Sequence, residues 1–335
     1  MIRGFLTMLL VLGCMVALSG CQLPPTDMTL QRGSQLLAAG SPKSAIPFLG
    51  QTVASAPDGP EPLALLSLAF ALDMQPDRAI AQAALVKRGP NQPPGWEAVA
   101  IGIAEMTRRQ PEQAEGHLQR VVAAAPPDSP IGRAARQWLT LAQVLAGHRD
   151  QAVETLQSLA ESTPMKASAM LWATLIHAQA GRPKQAAESL TQCASTVTRN
   201  DPVPVGDLSG QALYDSAVAT AAAGDLDTAQ ARFAALQQQD PAAADTPVWT
   251  ALLAAARGDW PAARALLKDA SRTGTLRSRG LANQLFAVVC ALEDRPDAMI
   301  EHMLAGQRLL GRNATPAYVV EQPKPEPVWF SDHMK

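Results

Sequence analysis

The histidines and cysteines are the residues of this chain best suited to metal binding or catalysis, and their spacing supports neither. The sequence has no HExxH motif, no pair of histidines four residues apart and no CxxC pair, so it offers no zinc site. It also lacks a GxSxG nucleophile elbow, an SxxK motif and a phosphate-binding GxxxxGK loop. We therefore expect no enzyme activity, no cofactor and no metal. The five histidines are His117, His148, His177, His302 and His333.

One cysteine stands where its thiol would serve a different chemistry. Cys21 follows a positively charged start at Arg3 and an uncharged apolar run over residues 5–18, which ends in small residues. This order is typical of an export signal. The apolar run is shorter than the roughly 20 residues that a membrane-spanning helix needs. We predict a signal peptide over residues 1–20 that is removed after export.

The segment Leu18–Cys21, LSGC, resembles the lipobox of bacterial lipoproteins. The resemblance implies that the Cys21 thiol is lipidated, that the peptide before it is cut and that the new N-terminus is acylated. It also implies an outer-membrane anchor with the body on the periplasmic face, because Gln22 stands where an aspartate would retain the protein at the inner membrane. Residues 21–25 then form the lipidated N-terminus and a stiff spacer. The alternative is an ordinary signal peptide with a chance cysteine.

The composition favours helices and gives no sign of nucleic-acid binding. The chain is 47% hydrophobic but only 4% aromatic, so its interior must be built mainly from alanine and leucine, which are strong helix formers. Its formal net charge is −2, whereas attraction to nucleic acid needs a basic excess. We therefore expect a helical protein that does not bind nucleic acid.

A short sequence motif recurs eight times along the chain, and each copy has an alanine at the same position. Glycine stands five residues before this alanine in five repeats, where a left-handed residue can close a helix without steric cost. Proline stands two or three residues before it in six repeats, where it suits the first turn of the next helix. The eight alanines are Ala45, Ala79, Ala114, Ala152, Ala186, Ala229, Ala263 and Ala298. Each copy of the motif predicts two antiparallel helices that cross at the small alanine.

The spacing of about 34 residues between most of these alanines resembles that of the tetratricopeptide repeat. The resemblance covers residues 26–312 and implies an all-α, right-handed α-solenoid of about eight helix-turn-helix repeats. Residues 313–335 follow as a proline-rich C-terminal tail, which either caps the last repeat or is disordered. Solenoids of this kind present extended surfaces to protein partners.

The resemblance also leads to an expectation of function. Lipid-anchored tetratricopeptide proteins of pilus biogenesis are similar in plan. We therefore expect a periplasmic scaffold, anchored through Cys21, that binds a protein or peptide partner during assembly of a pilus or secretion apparatus. The alternative is a regulator of enzymes that build or cleave the cell wall.

In the tetratricopeptide family, the second, fifth, ninth and twelfth positions of each first helix face a groove that binds partners. In this sequence those positions form an apolar stripe, which suits an amphipathic helix or a hydrophobic segment of a partner. The alternative is that the first helices are rolled by about one position and the stripe is core, because the usual packing positions hold polar residues such as Arg136 and Gln143. This inner stripe consists of Val99, Ile103, Met106, Leu141, Val144, Leu171, Leu175, Tyr214, Val218, Val248 and Leu252.

Two further cysteines are predicted to be free thiols even in an oxidising compartment. Cys193 falls in a second helix, and Cys290 falls in a first helix three repeats further on. Packed helices lie about 8–10 Å apart, whereas the two Cα atoms of a disulfide lie about 4.4–6.8 Å apart. We predict that both are buried and serve as small apolar core residues.

Overall fold

The computed structural model describes residues 28–87, 89, 92–161, 165–200, 208–239 and 245–313. Within these ranges the chain forms sixteen α-helices and no strand, and the helices follow one another as eight antiparallel pairs, here called repeats one to eight. The predicted all-α solenoid of eight repeats is confirmed. Cys21, the signal peptide and nearly all of the proline-rich tail lie outside the described residues, so those expectations stay predictions.

Each repeat consists of a first helix, a tight turn and a second helix. The first helices are α1 (Met28–Ala38), α3 (Pro60–Leu72), α5 (Trp96–Thr107), α7 (Pro130–Leu145), α9 (Lys166–Gln179), α11 (Leu208–Ala222), α13 (Thr246–Ala256) and α15 (Leu276–Leu292). The second helices are α2 (Pro42–Ser55), α4 (Pro76–Ala83), α6 (Pro111–Ala124), α8 (Arg149–Ala160), α10 (Pro183–Asn200), α12 (Leu226–Gln239), α14 (Trp260–Ala270) and α16 (Pro296–Asn313).

All eight turns within the repeats close the first helix in the same way. A residue with positive φ follows the helix, and the next amide N–H donates to the carbonyl five residues earlier, as Arg182 does to His177 at 2.9 Å. Five turns use the predicted glycines. The turns of repeats two, three and eight instead use Met74, Arg109 and Asp294, with φ of 55°, 59° and 52°. The turn geometry is therefore the same in all eight repeats, although only five of them have glycine at this position.

Replacing Met74 by glycine is expected to stabilise the protein by about 1 kcal/mol, because a left-handed conformation strains every residue with a Cβ. The measurement is the free energy of unfolding in urea. The matched control is Gly147→Ala, since Gly147 has φ of 81° and open space where a Cβ would stand. The free energy of unfolding should fall in Gly147→Ala by about as much as it rises in Met74→Gly. A loss of stability in Met74→Gly would contradict the strain argument.

Seven of the eight recurring alanines are fully buried, each as the fourth residue of a second helix. The eighth is a correction to the sequence-based register. Helix α16 begins at Pro296, so its fourth residue is Met299, which is fully buried, while Ala298 is only partly buried. Asp294 lies five residues before Met299, as each glycine lies before its alanine. Repeat eight therefore runs one residue later than the alanines predicted.

Charged pairs join neighbouring repeats along the edge that carries the turns. In three of them the acid is the second residue of a second helix, and the arginine lies in the turn of the next repeat. These pairs are Asp77 with Arg108 at 2.6 Å, Asp150 with Arg182, and Asp227 with Arg257 at 2.9 Å. Because water screens exposed pairs strongly, their role is to orient neighbouring repeats rather than to stabilise them.

The sixth repeat is the least buried of the solenoid. Among the described side chains of α11, only Ala217, Val218 and Ala221 are buried, and α13 packs directly against α9 and α10 of repeat five. Phe233 of α12 holds this repeat in place. Its ring stacks on Trp249 of α13 with 5.7 Å between centroids and meets Tyr214 of α11 edge-on at 5.9 Å. Trp249 Nε1 donates to the Tyr214 hydroxyl at 3.1 Å and completes the cluster.

Candidate functional site

The inner stripe lies on the first helices of repeats three to seven, as predicted, but it is not exposed. Ten of its eleven side chains are buried, none with more than 4% of its surface exposed, and Tyr214 is partly buried against the core. The ten buried members are therefore not open to a partner in this arrangement. The burial matches the alternative that the stripe is core.

The last repeat fills the space where a groove was expected. Helix α15 packs against α7, α9 and α13 as well as against its own partner α16, and α16 also reaches α5. Nearly every residue of α15 from Ser278 to Ala291 is buried. A helix that is buried on all sides is an interior helix rather than one wall of an open groove. The C-terminal helices thus pack against the first helices of repeats three, four, five and seven.

Contacts between distant repeats close the structure. Arg109 in the turn of repeat three forms an ion pair with Asp294 in the turn of repeat eight, at 3.2 Å. Arg308 of α16 donates to the carbonyl of Gly40, in the turn of repeat one, at 3.3 Å. A Cβ on Gly40 would stand 2.8 Å from the carbonyl oxygen of Leu304, so only glycine lets α16 approach this turn. The first and last repeats of the solenoid therefore meet.

The polar residues at the usual packing positions of the first helices are also inside the fold. Arg136 and Gln143 of α7 are buried, and Thr155 of α8 donates to the Gln143 Oε1 at 2.8 Å. Arg136 donates to the Gly132 carbonyl at 3.1 Å, and burial lowers the pKa of its guanidinium. Helix α7 therefore buries its polar face and its apolar face alike, so its periodicity could not separate groove from core.

A buried carboxylate links the last two repeats. Asp245 precedes α13, and its Oδ2 lies 3.2 Å from Nε of Arg277, in the first turn of α15. Burial raises the pKa of Asp245, while the positive charge of Arg277 opposes this rise. Burial also raises the pKa of the neighbouring Tyr214 hydroxyl. The Asp245–Arg277 ion pair therefore joins repeats seven and eight.

These polar groups do not form a recognisable metal site. Within the described ranges, no three or more histidine, cysteine, aspartate or glutamate side chains are placed to hold a metal ion. The same ranges contain no helix that is both long enough and apolar enough to span a membrane. What the arrangement offers is a rigid helical surface.

Both remaining cysteines are free and buried, which confirms the prediction for Cys193 and Cys290. Burial raises the pKa of the Cys193 thiol to about 12 and that of Cys290 to about 11. At neutral pH both thiols are therefore protonated, and only the thiolate is a nucleophile. Neither cysteine is placed for redox chemistry.

Comparison with known proteins agrees with this geometry. The tetratricopeptide repeat model matches residues 141–193, which run from the end of α7 into α10. This match covers parts of repeats four and five, and the other repeats share their helix-turn-helix plan. No curated protein matches its sequence.

Three solved structures are similar to parts of this helical solenoid. Residues 41 to the end of MamA from Desulfovibrio magneticus RS-1 are 23% identical, with a TM-score of 0.41, over 52% of this chain and 96% of that one. A MamA RS-1 double mutant is 24% identical, with a TM-score of 0.40, over 52% of this chain and 95% of that one. The Cut9–Hcn1 hetero-tetramer of APC/C is 16% identical, with a TM-score of 0.38, over 89% of this chain and 58% of that one.

Proposed function

We propose that this protein is a lipid-anchored periplasmic scaffold that binds protein partners through its outer surface during assembly of an envelope machine such as a pilus or secretion apparatus. The tetratricopeptide fold is suited to protein–protein contacts and gives no support to an enzyme. The observation that carries the proposal is the filled inner face. Because α15 and α16 occupy it, the surface left for partners is formed by the outer faces of the second helices and by the edges of the repeats.

The proposed anchor is the Cys21 thiol. Six residues separate it from Met28, where α1 begins, and an extended chain spans about 3.3–3.6 Å per residue. A lipidated Cys21 would therefore hold repeat one within about 25 Å of the bilayer. Several acyl chains on one residue would hold firmly, since each buried CH₂ contributes about 0.8 kcal/mol.

Replacing Cys21 by serine is expected to release the protein from the membrane, because serine offers no thiol for lipidation. Fractionation of the periplasm and the membrane pellet measures the change. The matched control is Cys14→Ser, which alters a cysteine inside the predicted signal peptide and should leave the protein in the pellet. Full retention of Cys21→Ser in the pellet, without a partner to hold it there, would refute the anchor.

The partner is to be identified by crosslinking in intact envelopes and capture of the protein. Recovery of pilus or secretion components would support assembly of an envelope machine. Recovery of a cell-wall synthase or hydrolase would favour the regulatory alternative instead. Capture of neither class would contradict both roles.

A further inference from the structure

The outer face of α2 differs from the outer faces of the other second helices. It carries no charged residue after Lys43, and its exposed side chains form one stripe along the helix. Phe48, with 36% of its surface exposed, lies at the centre of the stripe. The α2 face consists of Ser44, Pro47, Phe48, Gln51, Ala54 and Ser55.

Such a face is unexpected at this end of the protein. The terminal repeats of a solenoid have one side without a neighbour, and a polar outer face normally keeps that side soluble. On α6, the position that corresponds to Gln51 holds Arg120, which is exposed. An uncharged face around an exposed aromatic ring on the first repeat is instead typical of a surface that binds something.

The C-terminal end of α16 lies next to this repeat. Arg308 donates to the Gly40 carbonyl, in the turn that leads into α2. Asn313, the last residue of α16, is five residues beyond Arg308, a rise of about 7.5 Å. Phe48 is eight residues beyond Gly40, a rise of about 12 Å along α2. With the length of the Arg308 side chain included, the path from Asn313 to Phe48 is roughly 30 Å, which about ten extended residues can span.

The sequence that follows Asn313 has the length and the chemistry to reach and cover this face. Residues 314–335 comprise a proline-rich stretch, QPKPEP, followed by Val328, Trp329 and Phe330. Trp329 is sixteen residues past Asn313, so even a polyproline-like chain of about 3.1 Å per residue reaches Phe48 with slack. Proline-rich segments commonly dock on aromatic-lined surfaces, because little conformational freedom is lost when they bind.

We propose that residues 314–335 fold back on their own chain and seat Trp329 and Phe330 on the α2 face of repeat one. The occupant is this segment of the same molecule, tethered beside the face by α16. Phe48 supplies the apolar contact, and Gln51 and Ser44 supply hydrogen bonds to the extended backbone. The C-terminal tail then covers the exposed side of the first repeat.

Disulfide trapping in the full-length chain tests the proposal. Cysteines are placed at Gln51 and Ser331, each beside a contact residue, in a chain that carries Cys14→Ser and Cys21→Ser. The buried Cys193 and Cys290 stay in place. The matched control pairs Ser331→Cys with Gln119→Cys, at an exposed position on the outer face of α6. Because disulfide formation reports effective concentration, the 51–331 pair should close within one molecule at least about tenfold faster than the 119–331 pair.

A second pair of variants tests the role of the ring. Phe48→Gln in the 51–331 background should lower the rate of closure to that of the control pair. Leu85→Gln, which alters an exposed leucine of repeat two, should leave the rate unchanged. Helical circular dichroism of each variant shows whether the solenoid stays folded. Equal closure rates for the two cysteine pairs would overturn the proposal. Disulfide-linked dimers in place of closed monomers would also overturn it and make a second copy the occupant.

Discussion

Leu252→Asp is expected to lower the melting temperature sharply, with a loss of more than about 4 kcal/mol of unfolding free energy. Leu252 is 1% exposed on α13, a helix that packs against α9, α10 and α15. Leu252 belongs to the buried hydrophobic core, and burying a charge in such a core is costly. Thermal unfolding followed by circular dichroism measures the effect.

The matched control is Leu276→Asp, which makes the same substitution at an exposed leucine in the first turn of α15. An acid is favourable at a helix N-terminus, so this variant should melt as the parent does. Val218→Asp, at a buried position on α11, should also destabilise, although repeat six is less buried than its neighbours. If Leu252→Asp kept the parent melting temperature and lost only partner capture, the inner stripe would be a groove after all.

Phe233→Ala is expected to cost about 3–5 kcal/mol of unfolding free energy. The Phe233 side chain is fully buried and lies between the rings of Tyr214 and Trp249, so its loss leaves a cavity where three helices meet. Repeat six has few other buried residues to compensate. Urea unfolding measures the loss, and amide hydrogen exchange in α11 should rise more than exchange in α5.

Phe233→Leu is the control for this variant. Leucine keeps much of the volume and the apolar surface, so the cost should stay below that of alanine by about 2 kcal/mol or more. Equal costs for the two variants would mean that the ring contacts, rather than the filled volume, hold the repeat. A cost below about 1 kcal/mol for Phe233→Ala would show that the aromatic cluster does not hold repeat six in place.

The repeats could be predicted from the sequence because their signals are local. Glycine at positive φ and proline in a first turn act within a few residues, and each recurred often enough to fix the period. The predicted register of repeat eight was one residue early, because an alanine, Ala298, stands directly before Met299 and no glycine marks the turn there. The sequence therefore predicted that the two helices cross at Ala298, whereas Met299 occupies the crossing.

The closed inner face could not be predicted, because it depends on contacts between distant parts of the chain. Arg109 and Asp294 are 185 residues apart, and neither belongs to a motif. An apolar stripe looks the same in sequence whether a partner or the chain's own α15 covers it. Helix α7 is amphipathic in sequence, but its polar face is buried as well, so periodicity did not indicate which face is surface.

The meeting of Gly40 and Arg308 changes how the repeats depend on one another. In an open array each repeat contacts only its neighbours, so the ends fray first and folding can spread from any point. Here the turn of the first repeat and the last helix share a hydrogen bond across 268 residues, and fraying at either terminus breaks contacts made by the other. Such long-range contacts raise the contact order, which slows folding. The first repeat is made first during synthesis, yet it lacks one of its neighbours until nearly the whole solenoid has been made.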